Sequence, residues 1–199
     1  MIELDTPHGP ARAHLNEVEA PKAVLVLGHG AGGGVGAPDL KAATEAALGV
    51  GVNVILIEQP YRVAGRKSPA PAAQLDAAWT AAVAQLPAEG LPLYVGGRSS
   101  GARVACRTAD ATGAAGVLCL AFPLHPPGRP EKTRLPELEA VKVPVLIVQG
   151  TSDPFGMPPE GPGRKVVKLK GNHSLRSDVN GLRAAVREFL GGGDDGDVD

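Results

Sequence analysis

Aromatic residues make up only 3% of this 199-residue chain, and that scarcity limits what the protein can hold. A deep pocket for a long apolar molecule is usually lined by rings, so a small or polar ligand is expected. Cysteine is also rare. Cys106 and Cys119 fit neither the close pairs of a metal site nor the dense pattern of a disulfide framework, and they read as small core residues, one in a helical stretch and one in the apolar run 117–121. No metal is expected. Residues 1–10 lack the basic start and apolar centre of a secretory signal, and the longest apolar runs have strand length, so a cytoplasmic location without membrane association is expected. An excess of one charge is missing too. The net charge is -1, and because residues 191–199 hold four of the 21 acidic groups, the rest of the chain carries +3. Neither value suits a nucleic-acid surface. No Gly-Lys-Ser/Thr occurs, which excludes a Walker-type phosphate loop.

What the chain does have is 43% hydrophobic residues, 27 glycines and an alternation of short apolar runs with helical patterns. Its length suits one core and is too short for two ordinary domains. The expected organisation is a single domain over residues 1–190, followed by a disordered acidic, glycine-rich tail over 191–199. Segments 2–4 and 11–15, separated by Pro7-His8-Gly9-Pro10, predict an antiparallel hairpin at one sheet edge. Continuous apolar runs at 23–27, 52–57, 93–97, 116–121 and 145–148 predict strands covered on both faces. Helices are predicted over 40–48, 71–86, 102–109 and 135–141, and a last one capped by Asp178 or Asn180. In the second of these, Leu75, Trp79, Val83 and Leu86 share one face. Residues 165–169 alternate as an edge strand does. The fold class is therefore α/β, with a doubly wound, mostly parallel sheet and helices on both faces.

In such a sheet, ligands bind beyond the carboxyl ends of the strands. Gly97-Arg98-Ser99-Ser100-Gly101 stands where a strand turns into a helix. A glycine two residues to either side of Ser99 permits the tight turn that exposes its hydroxyl, the arrangement called a nucleophile elbow. Ser100 has Arg98 and Ala102 at the same spacing and is the weaker candidate. Other strand ends present Gly28-His29-Gly30-Ala31-Gly32-Gly33-Gly34, Gln149-Gly150-Thr151-Ser152-Asp153 and Gly171-Asn172-His173-Ser174. A serine hydroxyl needs a base to take its proton and an acid to orient that base. Ser99, His173 and Asp153 are the candidates for these roles. The developing oxyanion would be met by the N–H groups of Ser100 and Ala31.

With these motifs in this order, the chain resembles an α/β-hydrolase over roughly residues 20–190. Blocks 59–66 and 122–128 further resemble small dienelactone-hydrolase-like proteins related to the testis-expressed and chromatin-complex hydrolase-like group. The resemblance implies a serine hydrolase that cleaves a small acyl ester or a related acyl compound through an acyl-enzyme, without a cofactor. Two departures are visible. Segment 154–164 is so rich in proline and glycine that the usual helix there should be a loop, and 122–142 leaves no room for a lid domain.

Other readings stand beside this one. His29, Arg62, Arg98 and His125 are candidate substrate contacts, although His29 also has a structural place in the glycine loop. His125 is the rival base, and His8 and His14 belong to the hairpin. Arg62, Arg66, Arg98, Arg129 and Lys132 fall on or near loops that should rim the site and suggest an anionic group on the ligand. Asp76 and Asp110 read as surface charges on helices. Gly28 to Gly33 formally match a dinucleotide fingerprint with Glu58 as the ribose carboxylate, but Gly36 and Pro38 delay the helix too far for it to cradle a pyrophosphate. A hydrolase-like fold that binds a ligand or protein without catalysis is the remaining alternative.

Overall fold

The computed structural model describes residues 1–191, so the expected acidic tail lies, but for Gly191, outside the described residues. Strands β1 (Ile2–Leu4) and β2 (Ala11–Asn16) form the predicted hairpin. They are followed by β3 (Ala23–Gly28), α1 (Pro38–Gly49), β4 (Val52–Glu58), α2 (Pro60–Val63), α3 (Ala72–Val83), β5 (Leu93–Arg98) and α4 (Ser100–Thr108). The chain continues through β6 (Gly116–Leu120), α5 (Leu135–Glu139), β7 (Val145–Gly150), β8 (Arg164–Leu169) and α6 (Val179–Gly191). All eight strands join one sheet in the order β1-β2-β4-β3-β5-β6-β7-β8. Every pairing from β4 to β8 is parallel, and β2 pairs antiparallel with β4.

The apolar runs are continuous because both faces of the sheet are covered. Along β3, Val24 and Val26 pack on the side of α3 and α4, whereas Leu25 and Leu27 pack on the side of α1 and α6. The two-residue period of a strand survives inside a uniformly apolar sequence. On α3, the predicted stripe of Leu75, Trp79 and Val83, continued by Leu86 just beyond the helix, is buried on the first side. The predicted stripe of α6 also lies on one side, where Leu182, Ala185 and Val186 are buried beside a half-buried Phe189. Asp178 caps α6 by accepting the Gly181 N–H at 2.9 Å.

Several elements depart from the sequence expectation, among them α1, which begins at Pro38 instead of 40, and α3, which ends at Val83 instead of 86. The four-residue α2 was not predicted, because a single turn is too short to carry a period. Helix α4 begins at Ser100, directly after the serine, two residues earlier than its small-residue pattern suggests. Helix α5 stops at Glu139 instead of 141. Segment 154–163 is indeed irregular, and only α5 lies between β6 and β7, so among the described residues no lid covers the strand ends. Among the described residues, no helix is long and apolar enough to cross a membrane.

Candidate active site

Ser99 occupies the corner between β5 and α4 with φ 51° and ψ -113°. A positive φ in a side-chain-bearing residue is strained and persists only where its surroundings hold it. Here the Ser99 N–H donates to the Leu120 carbonyl at 2.9 Å, and the Ser99 carbonyl accepts the N–H groups of Ala102 and Arg103. The serine is thus fixed between the neighbouring strand and the first turn of α4.

Asp153 follows β7, and His173 follows β8. The two loops are joined where the Ser152 N–H donates to the Gly171 carbonyl at 2.9 Å, and buried Leu175 anchors the far side of the histidine loop. His173 Nδ1 lies 2.7 Å from Asp153 Oδ2, and its Nε2 lies 2.9 Å from Ser99 Oγ. A carboxylate can only accept, so Nδ1 carries the proton and Nε2 is left to accept the Ser99 hydroxyl. The Asp153 side chain is 0% exposed and that of His173 18%. Burial of the acid is compensated by three donors, because Oδ1 accepts the Phe155 N–H at 2.8 Å and Oδ2 also accepts Gln149 Nε2 at 3.1 Å. The Phe155 ring stacks on His173 with centroids 4.3 Å apart. Sequence reasoning missed both Gln149 and Phe155, although each lies within four residues of Asp153.

The loop after β3 faces the same corner. Tyr61 Oη donates to the Ala31 carbonyl at 2.9 Å, which fixes the orientation of that residue's backbone. Among the described residues, neither the Ala31 N–H nor the Ser100 N–H donates to another protein group. His29 is buried beneath the loop. Burial holds its imidazole below the ordinary histidine value, and the neutral ring fits its partners, with Nδ1 donating to the Gly30 carbonyl at 2.8 Å and Nε2 accepting the Gln59 N–H at 3.1 Å.

The four expected substrate contacts are each engaged with other protein groups. His29 is a structural residue with both nitrogens engaged. Arg98 points away from the cleft, because its Nη1 donates to Asp39 Oδ2 at 2.8 Å and to the His173 carbonyl at 2.7 Å. Asp39 is 1% exposed in its side chain; burial pushes its carboxyl up, and the neighbouring Arg98 pulls it back down. Arg62 packs over Gly34, and His125 lies against Gly156 with Nδ1 bonded to the Pro126 carbonyl. Neither lines the cleft beside Ser99. Glu58, the acid of the dinucleotide pattern set aside above, is paired with His14 on the adjacent strand. Asp76 is likewise no free surface charge, since Arg107 grips it through Nε and Nη2.

The cleft beside Ser99 has a volume of about 280 Å³ and is walled by Ala31, Leu75, Pro123 and Phe155. Three arginines absent from the expected contacts, Arg103, Arg107 and Arg134, complete it. A larger concavity of about 570 Å³ lies against α5 on the far side of Arg107 and does not reach Ser99. Among the described residues, no group of histidine, cysteine and acidic side chains could hold a metal ion.

Comparison with solved structures gives the same architecture. An α/β serine hydrolase without a lid from Xanthomonas campestris is 21% identical, covers 94% of this chain and 91% of its own, and superposes with a TM-score of 0.75. Est1E from Butyrivibrio proteoclasticus is 16% identical, with 95% and 96% covered and a TM-score of 0.74. A dienelactone hydrolase from Anabaena variabilis is 15% identical, with 95% and 93% covered and a TM-score of 0.70. At these identities the likeness is one of fold. A family model described as an alpha/beta hydrolase domain matches residues 21–177, and on that match the chain belongs to the alpha/beta hydrolase domain family.

Proposed function

We propose that the protein is a cytoplasmic serine hydrolase that cleaves a small acyl ester, or a related acyl compound, through a Ser99 acyl-enzyme. The reading rests on one observation, the continuous hydrogen-bonded path from Asp153 through both nitrogens of His173 to Ser99 Oγ. In the first half-reaction, Ser99 Oγ attacks the acyl carbon while His173 Nε2 takes its proton. The resulting oxyanion lies against the N–H groups of Ser100 and Ala31, which have no other protein partner among the described residues. Collapse breaks the acyl–oxygen bond, and the leaving alcohol takes the proton from His173. Water then repeats the sequence on the acyl-enzyme, giving the acid and restoring Ser99. The open cleft and its modest volume favour a small acyl group.

Intact mass after exposure to a fluorophosphonate tests the reading. One adduct on the wild type and none on Ser99→Ala is expected. Folded wild-type protein that takes up no adduct would sink the hydrolase reading and leave ligand binding without catalysis.

Arg98 has a positioning role in this scheme. It joins the start of α1 to the backbone of His173, and among the described residues no other side chain donates to that carbonyl. Arg98→Ala is expected to slow fluorophosphonate labelling by about a hundredfold, the scale of a small misplacement of a reacting group. Arg98→Lys should recover part of the rate by reaching one of the two acceptors. Equal labelling rates for Arg98→Ala and the wild type would remove the role.

A further inference from the structure

The three arginines of the cleft are not equivalent. Arg103 and Arg107 follow Ser99 by four and eight residues on α4, so they share its face of the helix. Arg103 spends Nε and Nη2 on Glu137 at 3.1 and 2.6 Å. Arg107 spends the same two atoms on Asp76 at 2.9 and 2.8 Å, and its Nη1 reaches Glu137 only weakly at 3.4 Å. Arg134 donates Nη1 to the Pro123 carbonyl at 3.0 Å and has no carboxylate within ion-pair distance among the described residues. Burial, and next the nearby Arg103, lower its guanidinium from the ordinary value. Three guanidinium groups therefore line the cleft that contains Ser99, while only two carboxylates, Asp76 and Glu137, pair with them from outside its wall.

A half-buried cation without a counterion is costly to hold, and a planar guanidinium is matched best by a carboxylate that accepts two parallel N–H bonds. Arg134 has Nε and Nη2 uncommitted, and Arg103 has Nη1 uncommitted. We propose that Arg134, assisted by Arg103, binds a carboxylate on the substrate, so that the protein acts on acyl esters that carry a free carboxylate a short carbon spacer away from the bond cleaved. The acyl part of this assignment rests on the hydrolase reading above; the anion site itself does not. Arg62, Arg66, Arg129 and Lys132, the loop cations that the sequence suggested for this purpose, do not line the cleft.

The test pairs monomethyl glutarate with its neutral counterpart of equal acyl chain length, methyl pentanoate. Hydrolysis is followed by proton release at constant pH, and binding to Ser99→Ala protein by calorimetry. The wild type is expected to prefer the anionic ester in kcat/KM, with a preference that falls as salt is added. Arg134→Gln should lower that preference about tenfold, and Arg134→Lys should recover part of it. Arg129→Gln, a change at an exposed loop cation, should leave the preference as it was. In the Ser99→Ala background, Arg134→Gln should weaken monomethyl glutarate binding by a similar factor. Where the esters are hydrolysed, a wild-type preference that is absent or insensitive to salt overturns the proposal without any variant, and in either case so does binding that is equal with and without Arg134. If neither ester is hydrolysed and the fluorophosphonate forms no adduct, but binding still depends on Arg134, the hydrolase reading fails and the anion site stands.

Discussion

Asp153→Asn is expected to reduce ester turnover by about four orders of magnitude, and Ser99→Ala or His173→Ala by about six. The reason for the first lies in the count of donors around the carboxylate. Asp153 accepts N–H bonds from His173, Gln149 and Phe155, and an asparagine has one amide oxygen with which to meet them. If its NH2 faces His173, the ring must accept at Nδ1, and Nε2 then carries the proton and cannot take one from Ser99. If its NH2 faces Phe155, two donors are opposed in a buried place. Either orientation also costs stability, so turnover should be read beside a melting curve. Combining Ser99→Ala with His173→Ala should give no further loss, because each alone already removes proton transfer to and from the same oxygen. A tenfold or smaller loss in Asp153→Asn would remove the acid from the mechanism. Additive losses in the double variant would mean that the serine and histidine act separately.

Gly101→Ala is expected to cost more than about 4 kcal/mol of stability and to give little folded protein. A Cβ at this position would meet the Gly28 carbonyl oxygen at 2.6 Å and the His29 carbonyl oxygen at 2.9 Å. Gly97→Ala would meet the same Gly28 oxygen at 2.6 Å. Backbone, unlike the end of a flexible side chain, cannot swing aside, so either change must part β3, β5 and α4 where they converge under Ser99. The two glycines of the serine turn are thus required as much by close approach as by the turn itself. Gly32→Ala and Gly33→Ala supply the contrast, since nothing lies within 4 Å of a Cβ at either position. Their thermal midpoints should stay close to that of the wild type. A Gly101→Ala protein that also melts with the wild type would contradict the packing described for this junction.

The fold was legible because its strands are apolar on both faces and its punctuation is clear, with Gly49 and Gly51 closing α1 and Pro71 opening α3. The placement of Ser99, Asp153 and His173 was legible for a related reason, since each follows a strand and parallel strands deliver their ends to one side. What could not be read was the engagement of individual side chains. Arg98 stands beside the serine in sequence, yet its partner Asp39 is 59 residues away, and local sequence does not encode that pairing. His29 gave no sign of the Gln59 amide that occupies its second nitrogen. Arg103 and Arg107 could have been found by stepping along α4 from Ser99 in turns of four. Arg134 could not, because the path of the segment before α5 follows from tertiary packing. The departure of segment 154–163 from helix was legible from its prolines and glycines alone.

The strand order also bears on when the protein becomes competent during its synthesis. Ser99 leaves the ribosome well before Asp153 and His173, and β7 and β8, which deliver those residues, are the last two strands added to the sheet. Until both are in place, the serine has neither a proton acceptor nor the Arg98 link that fixes the histidine loop. On the proposed mechanism, a nascent chain therefore presents an unactivated hydroxyl, and proton transfer becomes available only once β7 and β8 have joined the sheet.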